Sequence, residues 1–72
     1  MNKKIKIKIT VNGKQLTIKP KFTLMDLIHK LKVPINKVAI ELNREIVNKK
    51  KIDKIFIKSQ DKIEIVHFIG GG

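Results

Sequence analysis

Alternating side chains dominate the start of the chain. The apolar positions are Ile5, Ile7, Ile9 and Val11, all branched, and the positions between them carry lysine or threonine. A period of two with β-branched residues on one side predicts a strand from Lys3 to Val11 that has one apolar and one polar face. Such a strand is stable only when another layer covers its apolar face, so the chain must supply that layer further on.

A turn signal follows this strand directly. The dipeptide Asn12-Gly13 readily supplies the positive φ angles that both centres of a type I′ turn require. Alternation then resumes at Leu16 and Ile18, and Pro20 ends the second strand because it has no backbone N–H to donate to a sheet. The chain is therefore expected to begin with a β-hairpin.

The layer that covers the hairpin is predicted to be a helix. Its apolar face comprises Leu24, Leu27, Ile28 and Leu31, which have the i, i+3, i+4, i+7 spacing of one helical stripe. Thr23 is a suitable N-cap, and Asp26, three residues later, can complete a capping box. Pro34 prevents the helix from continuing.

Shorter elements make up the second half of the chain. Residues 38–42 (VAIEL) are nearly all apolar, as in a strand that is covered on both sides or lies at the centre of a sheet. Asn43-Arg44 is expected to turn, so that residues 45–47 pair back. Residues 48–51 are predicted to form a solvated basic loop. Isoleucines then anchor an irregular crossing under the sheet; they are Ile52, Ile55 and Ile57.

The last strand is predicted at residues 62–68, after a turn at 59–61. One helix among several strands indicates an α+β fold rather than a doubly wound α/β fold. We expect the last strand to lie in mid-sheet, beside the first strand and parallel to it, which is the β-grasp arrangement of ubiquitin-like proteins. The 72 residues permit one small domain, expected at residues 1–68, with a flexible tail at residues 69–72.

Composition argues against several classes of protein. No cysteine is present, so the chain has no disulfide, thiolate nucleophile or zinc–sulfur site. The net charge of +11 makes a lysine-rich nucleic-acid-binding module an alternative, which the salt dependence of binding would test. We expect no specific nucleic-acid site, because Arg44 is the only arginine and Tyr and Trp are absent. With no apolar run of membrane-spanning length and no signal-peptide pattern, a cytoplasmic protein without a membrane partner is expected.

Residues of catalytic types are few. Ser59 is the only serine, and the two histidines are His29 and His67. His29 falls beside the apolar stripe of the helix and is expected to be exposed. His67 is in phase with Ile63 and Ile65 and is expected to be partly covered. Structural or solvated histidines are favoured over a metal site. We therefore predict a protein that is not an enzyme and binds no cofactor itself.

Three glycines, Gly70, Gly71 and Gly72, follow the predicted last strand. Because glycine is flexible and has no side chain, the four residues from Ile69 could extend ~13 Å from the domain and enter a narrow channel of another protein. A frayed terminus or a cloning remnant is the alternative interpretation. The α-carboxylate of Gly72 is a remaining reactive group. Its attack on the α-phosphate of ATP would form an acyl-adenylate, and a sulfur donor could displace AMP to leave a thiocarboxylate.

Two residues beside this tail form a candidate docking site. On strict alternation Val66 and Phe68 point to solvent, opposite to the apolar face. Exposed apolar residues often mark interfaces, and aromatic residues dominate binding energies. Alternatively, the strand bulges here and buries both side chains. We predict that Val66 and Phe68 contact the enzymes that act on the tail.

Two segments resemble the ThiS family of sulfur carriers in thiamin biosynthesis: residues 38–47 (VAIELNREIV) and residues 61–72 (DKIEIVHFIGGG). The chain departs from that family at Arg44, where glycine is typical, and in its excess of lysine. The resemblance implies a β-grasp fold and adenylation of Gly72 by an E1-like enzyme that uses ATP. It also implies conversion of Gly72 to a thiocarboxylate.

The same resemblance implies partners. They are the E1-like adenylating enzyme, a sulfur donor such as a cysteine desulfurase, and thiazole synthase as the acceptor, while the protein alone is expected to be a monomer. The related molybdopterin carrier is the alternative within this class, but its tail usually has prolines before the glycines and Phe68-Ile69 has none. A covalent protein modifier, with Gly72 in isopeptide linkage to lysines, is a further alternative.

Overall fold

The computed structural model describes residues 5–68. Its helix and strands, in chain order, are β1 (Ile7–Val11), β2 (Lys14–Ile18), α1 (Leu24–Leu31), β3 (Val38–Leu42), β4 (Glu45–Ile46) and β5 (Lys62–His67). A first 3₁₀ helix (Ile35–Lys37) precedes β3, and a second (Lys49–Lys54) follows β4. In this part of the chain, no helix has the length and apolar character needed to cross a membrane.

Within residues 5–68 the strands form one five-stranded mixed sheet in the order β2-β1-β5-β3-β4. β5 lies between β1, to which it is parallel, and β3, to which it is antiparallel. The predicted place of the last strand is therefore confirmed. Parallel neighbours cannot be joined by a tight turn, so the chain between β1 and β5 has to cross the sheet, and α1 lies in that crossing. The architecture is a β-grasp fold of the α+β class.

One apolar layer between the sheet and α1 forms the core. Buried side chains of the strands are Ile9, Ile18, Val38, Ile40, Ile63 and Ile65; those of α1 are Leu24, Leu27 and Ile28; those of the later crossing are Ile52 and Ile57. A side chain of this kind contributes about 1.5–3 kcal/mol when it is fully buried. Most of the apolar residues predicted for the first and last strands and for the helix thus meet in one cluster, whereas Leu31, which was predicted to belong to the helix stripe, is exposed at the end of α1.

The predicted local signals are present at α1 and at the first turn. Thr23 Oγ1 accepts a hydrogen bond from Asp26 N (3.0 Å), and Asp26 Oδ2 accepts one from Thr23 N (2.9 Å), which completes the capping box. The hydrogen bond from the Thr23 backbone lowers the pKa of the Asp26 carboxyl. Asn12 and Gly13 have φ angles of 50° and 82°, as a type I′ turn requires.

The prediction that Ile5 belongs to the apolar face of the first strand is wrong. Ile5 precedes β1 and is 69% exposed. The register explains the difference, because Ile7 pairs with Ile18 and Ile5 would therefore lie opposite Pro20. Proline has no N–H for a further bond of the ladder, so the hairpin pairing begins only at Ile7. Lys3 and Lys4 lie outside the described residues.

Two predictions for the second half of the chain are also wrong. Residues 48–51 are not a loop, because Lys49 begins the second 3₁₀ helix. Lys49 is also half-buried, whereas Asn48, Lys50 and Lys51 are exposed as predicted. Asn48 Oδ1 accepts a hydrogen bond from Lys50 N (2.9 Å) and caps this helix. His67 is exposed rather than partly covered. It lies beyond the end of β1, so that β3 alone flanks it.

Candidate functional site

The outer face of β5 carries the residues predicted for docking. Ile63 and Ile65 are buried, whereas Val66 is 52% exposed and Phe68, one residue beyond the strand, is 47% exposed. The pairing of β5 with β3 runs without interruption through five residues, so the strand does not bulge toward the core. The alternative in which both side chains are buried is therefore wrong, while the docking role of Val66 and Phe68 stays a prediction.

Neighbouring strands extend this exposed surface. Val66 pairs with Ala39 of β3, and Glu41, two residues further along β3, pairs with Ile46 of β4. Paired residues, and residues two apart on one strand, share a face of a sheet. Ile46, which is 77% exposed, therefore lies on the same face as Val66. We call Ala39, Ile46, Val66 and Phe68 the outer apolar patch.

Sequence reasoning missed Ile46, although a signal for it was available. The two-residue turn at Asn43-Arg44 places Leu42 opposite Glu45. The next pair is then Glu41 with Ile46, on the face opposite to Leu42 and the core. The short hairpin thus adds a third exposed apolar side chain to the face of the sheet that points away from the core.

Phe68 is attached to the domain through both its backbone and its ring. Its N–H donates a hydrogen bond to Lys37 O (2.8 Å), and Lys49 Nζ lies 5.4 Å from the centroid of its ring. The chain therefore has a defined position immediately before residue 69. The residues predicted to form the tail, Ile69, Gly70, Gly71 and Gly72, lie outside the described residues, so their predicted flexibility and the reactivity of the Gly72 carboxylate stay predictions.

Two turn asparagines hold β5 in place. Asn12 Oδ1 accepts a hydrogen bond from Ile65 N (2.7 Å), and Asn12 Nδ2 donates one to Ile65 O (3.3 Å). Asn43 Oδ1 accepts a hydrogen bond from Lys62 N (2.9 Å), and Asn43 Nδ2 donates one to Asp61 Oδ1 (3.0 Å). Each asparagine adopts the positive φ of its own turn and also binds the strand that leads to the predicted tail.

The residues of catalytic types lie on separate elements. His29 is on α1, His67 ends β5 and Ser59 is in the turn before β5; all are exposed, as was predicted for His29. Within residues 5–68, no group of three or more His, Cys, Asp or Glu side chains could hold a metal ion. The outer apolar patch is the candidate site among the described residues, because exposed apolar patches often mark interfaces.

Comparison with known proteins identifies the family. The sequence model described as the ThiS family matches residues 9–72. The chain belongs to the ThiS family. A ThiS-family relative, the sulfur carrier protein ThiS of Bacillus subtilis, is 35% identical over 65 residues, which cover 89% of this chain and 98% of that protein.

Solved structures of the ThiS family share the fold. A crystal structure of the thiamine biosynthesis protein (ThiS) from Geobacter metallireducens matches with a TM-score of 0.81 and 33% identity, over 92% of this chain and 100% of that one. A larger relative is the thiazole synthase of Paramagnetospirillum magneticum, 39% identical over 66 residues, or 92% of this chain and 20% of that protein. The chain thus spans about a fifth of the length of that thiazole synthase.

One turn departs from the pattern expected of the ThiS family. The resemblance led us to expect glycine where Arg44 stands, and Asn43 and Arg44 have φ angles of 51° and 72°. Glycine adopts such angles without strain, whereas a residue with a Cβ does not. With Arg44 in this turn the β3–β4 pairing forms and places Ile46 opposite Glu41.

Proposed function

We propose that this chain is a sulfur carrier protein of thiamin biosynthesis and that the α-carboxylate of Gly72 is its reactive group. The observation that carries the proposal is the family match over residues 9–72, which includes all three terminal glycines. The B. subtilis relative named as a sulfur carrier, which matches over 98% of its length, supports it. On this proposal the chain is a substrate of other enzymes and is not an enzyme itself.

Activation of the carboxylate precedes sulfur transfer in the proposed mechanism. A carboxylate oxygen of Gly72 attacks the α-phosphorus of ATP on an E1-like adenylating enzyme, and pyrophosphate leaves. The terminal sulfur of a persulfide, such as one carried by a cysteine desulfurase, then attacks the acyl carbon and AMP leaves. A thiol reduces the resulting acyl disulfide, which yields the thiocarboxylate and a disulfide between the donor and that thiol. Glycine suits these attacks because no Cβ crowds its carbonyl group.

Thiazole synthase is the proposed acceptor of the sulfur. The support for this partner is that a protein named thiazole synthase contains a segment that is 39% identical to this chain. The thiocarboxylate sulfur would attack an electrophilic carbonyl carbon of the synthase-bound intermediate. Water would then cleave the acyl carbon–sulfur bond, which leaves the sulfur on the intermediate and restores the Gly72 carboxylate. The carrier must therefore dock with its terminus in the synthase active site. A carrier that serves two enzymes in turn needs a surface that both can bind reversibly.

The outer apolar patch is the proposed docking surface for both enzymes. Val66 and Phe68 are exposed and immediately precede the predicted tail. A partner that covers them would therefore have residues 69–72 within reach of its active site. Aromatic side chains at the centre of an interface contribute most to affinity, so Phe68 is the proposed anchor.

Exchange of pyrophosphate into ATP by the cognate adenylating enzyme tests this proposal. The intact chain should support exchange, whereas a chain that lacks Gly72, or has a residue added after it, should not. The altered chains should keep the Tm of the intact chain, because residues 5–68 and all their contacts are unchanged. Undiminished exchange by the altered chains would contradict the assignment of Gly72.

A further inference from the structure

Lys49 differs from the other lysines of its segment. Lys49, Lys50 and Lys51 follow one another in the second 3₁₀ helix, and of these three Lys49 is half-buried while the other two are exposed. A lysine that loses part of its hydration needs other contacts for its ammonium group. The surroundings of Lys49 supply them.

Those contacts lie where β5 ends. Lys49 Nζ donates hydrogen bonds to Ile35 O (3.0 Å) and to Val38 O (2.7 Å), at the two ends of the first 3₁₀ helix. The same nitrogen lies 5.4 Å from the centroid of the Phe68 ring. That distance is within the ~6 Å over which a cation is attracted to an aromatic face. The ammonium group therefore joins the first 3₁₀ helix to Phe68.

The backbone of Phe68 is held by the same segment. Its N–H donates to Lys37 O (2.8 Å), so residues 35–38 bind both Lys49 and Phe68 through their carbonyl groups. Ring and backbone are thus fixed at once, while 47% of Phe68 remains exposed on the outer apolar patch. Lys49 consequently contacts the last described residue, which directly precedes residues 69–72 of the sequence.

We propose that Lys49 is a positioning residue for the chemistry of Gly72. This inference rests on the proposed function, because it concerns how the carboxylate reaches the α-phosphate of ATP. Only residues 69–72 separate Phe68 from that carboxylate. A displacement of Phe68 therefore displaces the start of this short segment. Misplacing a reacting group by ~1 Å can reduce a rate by as much as ~100-fold. Lys49 therefore affects the turnover of the docked carrier more than its docking.

The test measures pyrophosphate exchange at saturating ATP over a range of carrier concentrations. Lys49→Met keeps the length of the side chain and removes its charge and donors. Lys50→Met makes the same change at an exposed neighbour and is the matched control. Lys49→Arg restores a cation that can donate to two carbonyls and stack on the ring. Rates are expressed per folded molecule, with the folded fraction taken from the unfolding curve of each variant.

We expect Lys49→Met to lower kcat roughly three- to tenfold while KM for the carrier changes less than about twofold. Lys50→Met should match the unmodified chain, and Lys49→Arg should recover most of kcat. Equal kcat values for Lys49→Met and Lys50→Met, or no recovery with arginine, would overturn the proposal. Failure of the unmodified chain to support exchange would instead contradict the proposed function.

Amide exchange provides a second readout that does not depend on the enzyme. Lys49→Met should accelerate exchange at the Phe68 N–H and shift the Phe68 ring resonances, whereas Ile40 and Ile65 keep their protection. Lys50→Met should change none of these signals. If Lys49→Met accelerated exchange equally at Phe68, Ile40 and Ile65, Lys49 would stabilise the whole fold instead of positioning one residue, and the proposal would be wrong.

Discussion

Phe68 combines an anchored backbone with a ring that is about half exposed. Full burial of a phenylalanine side chain stabilises a protein or a complex by about 1.5–3 kcal/mol. Because close to half of Phe68 is still exposed, its burial by a partner should contribute on the order of 1 kcal/mol to the binding free energy. Phe68→Ala should therefore raise Kd for the adenylating enzyme and for thiazole synthase about fivefold. Titration calorimetry measures both affinities, and Tm is measured on the same preparation, where we expect a small change.

Phe56 provides a matched control for this substitution. It is an exposed phenylalanine of the described chain, but it lies in the crossing before β5 and outside the outer apolar patch. Phe56→Ala should leave both Kd values unchanged, whereas Ile46→Ala, within the patch, should weaken binding. A large loss of stability in Phe68→Ala with unchanged affinity per folded molecule would show that Phe68 belongs to the core.

Arg44 places a side chain with a Cβ in a left-handed backbone conformation, which favours glycine. Its φ of 72° costs a residue with a Cβ about 1–2 kcal/mol, and glycine avoids this cost but loses more entropy on folding. Arg44→Gly should therefore raise the free energy of unfolding by about 0.5–1 kcal/mol. Urea denaturation measures this change. Arg44→Ala keeps the strained φ and should therefore not be more stable than the unmodified chain. If Arg44→Gly and Arg44→Ala were equally stabilised, the Arg44 side chain, and not the backbone, would be unfavourable.

At the scale of elements, β5 depends on two turns that lie outside it. Asn12 binds both backbone groups of Ile65. The last β1–β5 pair is Val11 with Ile63, so the turn of the first hairpin contacts β5 two residues beyond the end of that pairing. Asn12→Gly keeps the positive φ and removes both hydrogen bonds. We expect a loss of about 1–3 kcal/mol in the free energy of unfolding, because the partly buried Ile65 groups lose their partners, and a matching loss of protection at the Ile65 amide.

Asn43→Gly makes the equivalent change in the other turn. It removes hydrogen bonds at Asp61 and Lys62, which are more exposed, so its effect on stability should be smaller and the Ile65 amide should stay protected. Urea denaturation and amide exchange on both variants separate the two turns. If the Ile65 amide were as protected in Asn12→Gly as in the unmodified chain, Asn12 would not hold β5 in place.

The elements that the sequence predicts correctly depend on residues close to one another in the chain. The turn at Asn12-Gly13 and the capping box of Thr23 and Asp26 each lie within four residues. The exposure of Val66 and Phe68 likewise follows from alternation along one strand. Such features are accessible to sequence reasoning because neighbouring residues alone produce them.

The features that the sequence did not predict depend on segments that meet only after folding. Lys49 is half-buried because residues 35–38 and Phe68 converge on its ammonium group. His67 is exposed because β1 ends before reaching it, and Ile5 is exposed because its partner in the register is Pro20. No local pattern contains this information. The chemistry of Gly72, in contrast, was expected from the glycine tail, and the family resemblance implied the same chemistry.

The proposed function requires that Gly72 carries sulfur in the whole protein. Intact mass of the protein purified from its own host tests it, provided that alkylation with iodoacetamide accompanies the measurement. Replacing oxygen by sulfur adds nearly the same mass as oxidising one of the two methionines. Because the chain contains no cysteine, uptake of one alkyl group distinguishes a thiocarboxylate from an oxidised methionine.

We predict a heavier fraction that takes up one alkyl group, located by fragmentation in the peptide that ends at Gly72. A chain without Gly72, produced in the same host, is the control and should show no such fraction. The proposed function would be contradicted by a protein of unaltered mass when the pathway is active, by a heavier fraction that resists alkylation, or by Gly72 found in isopeptide linkage to lysine.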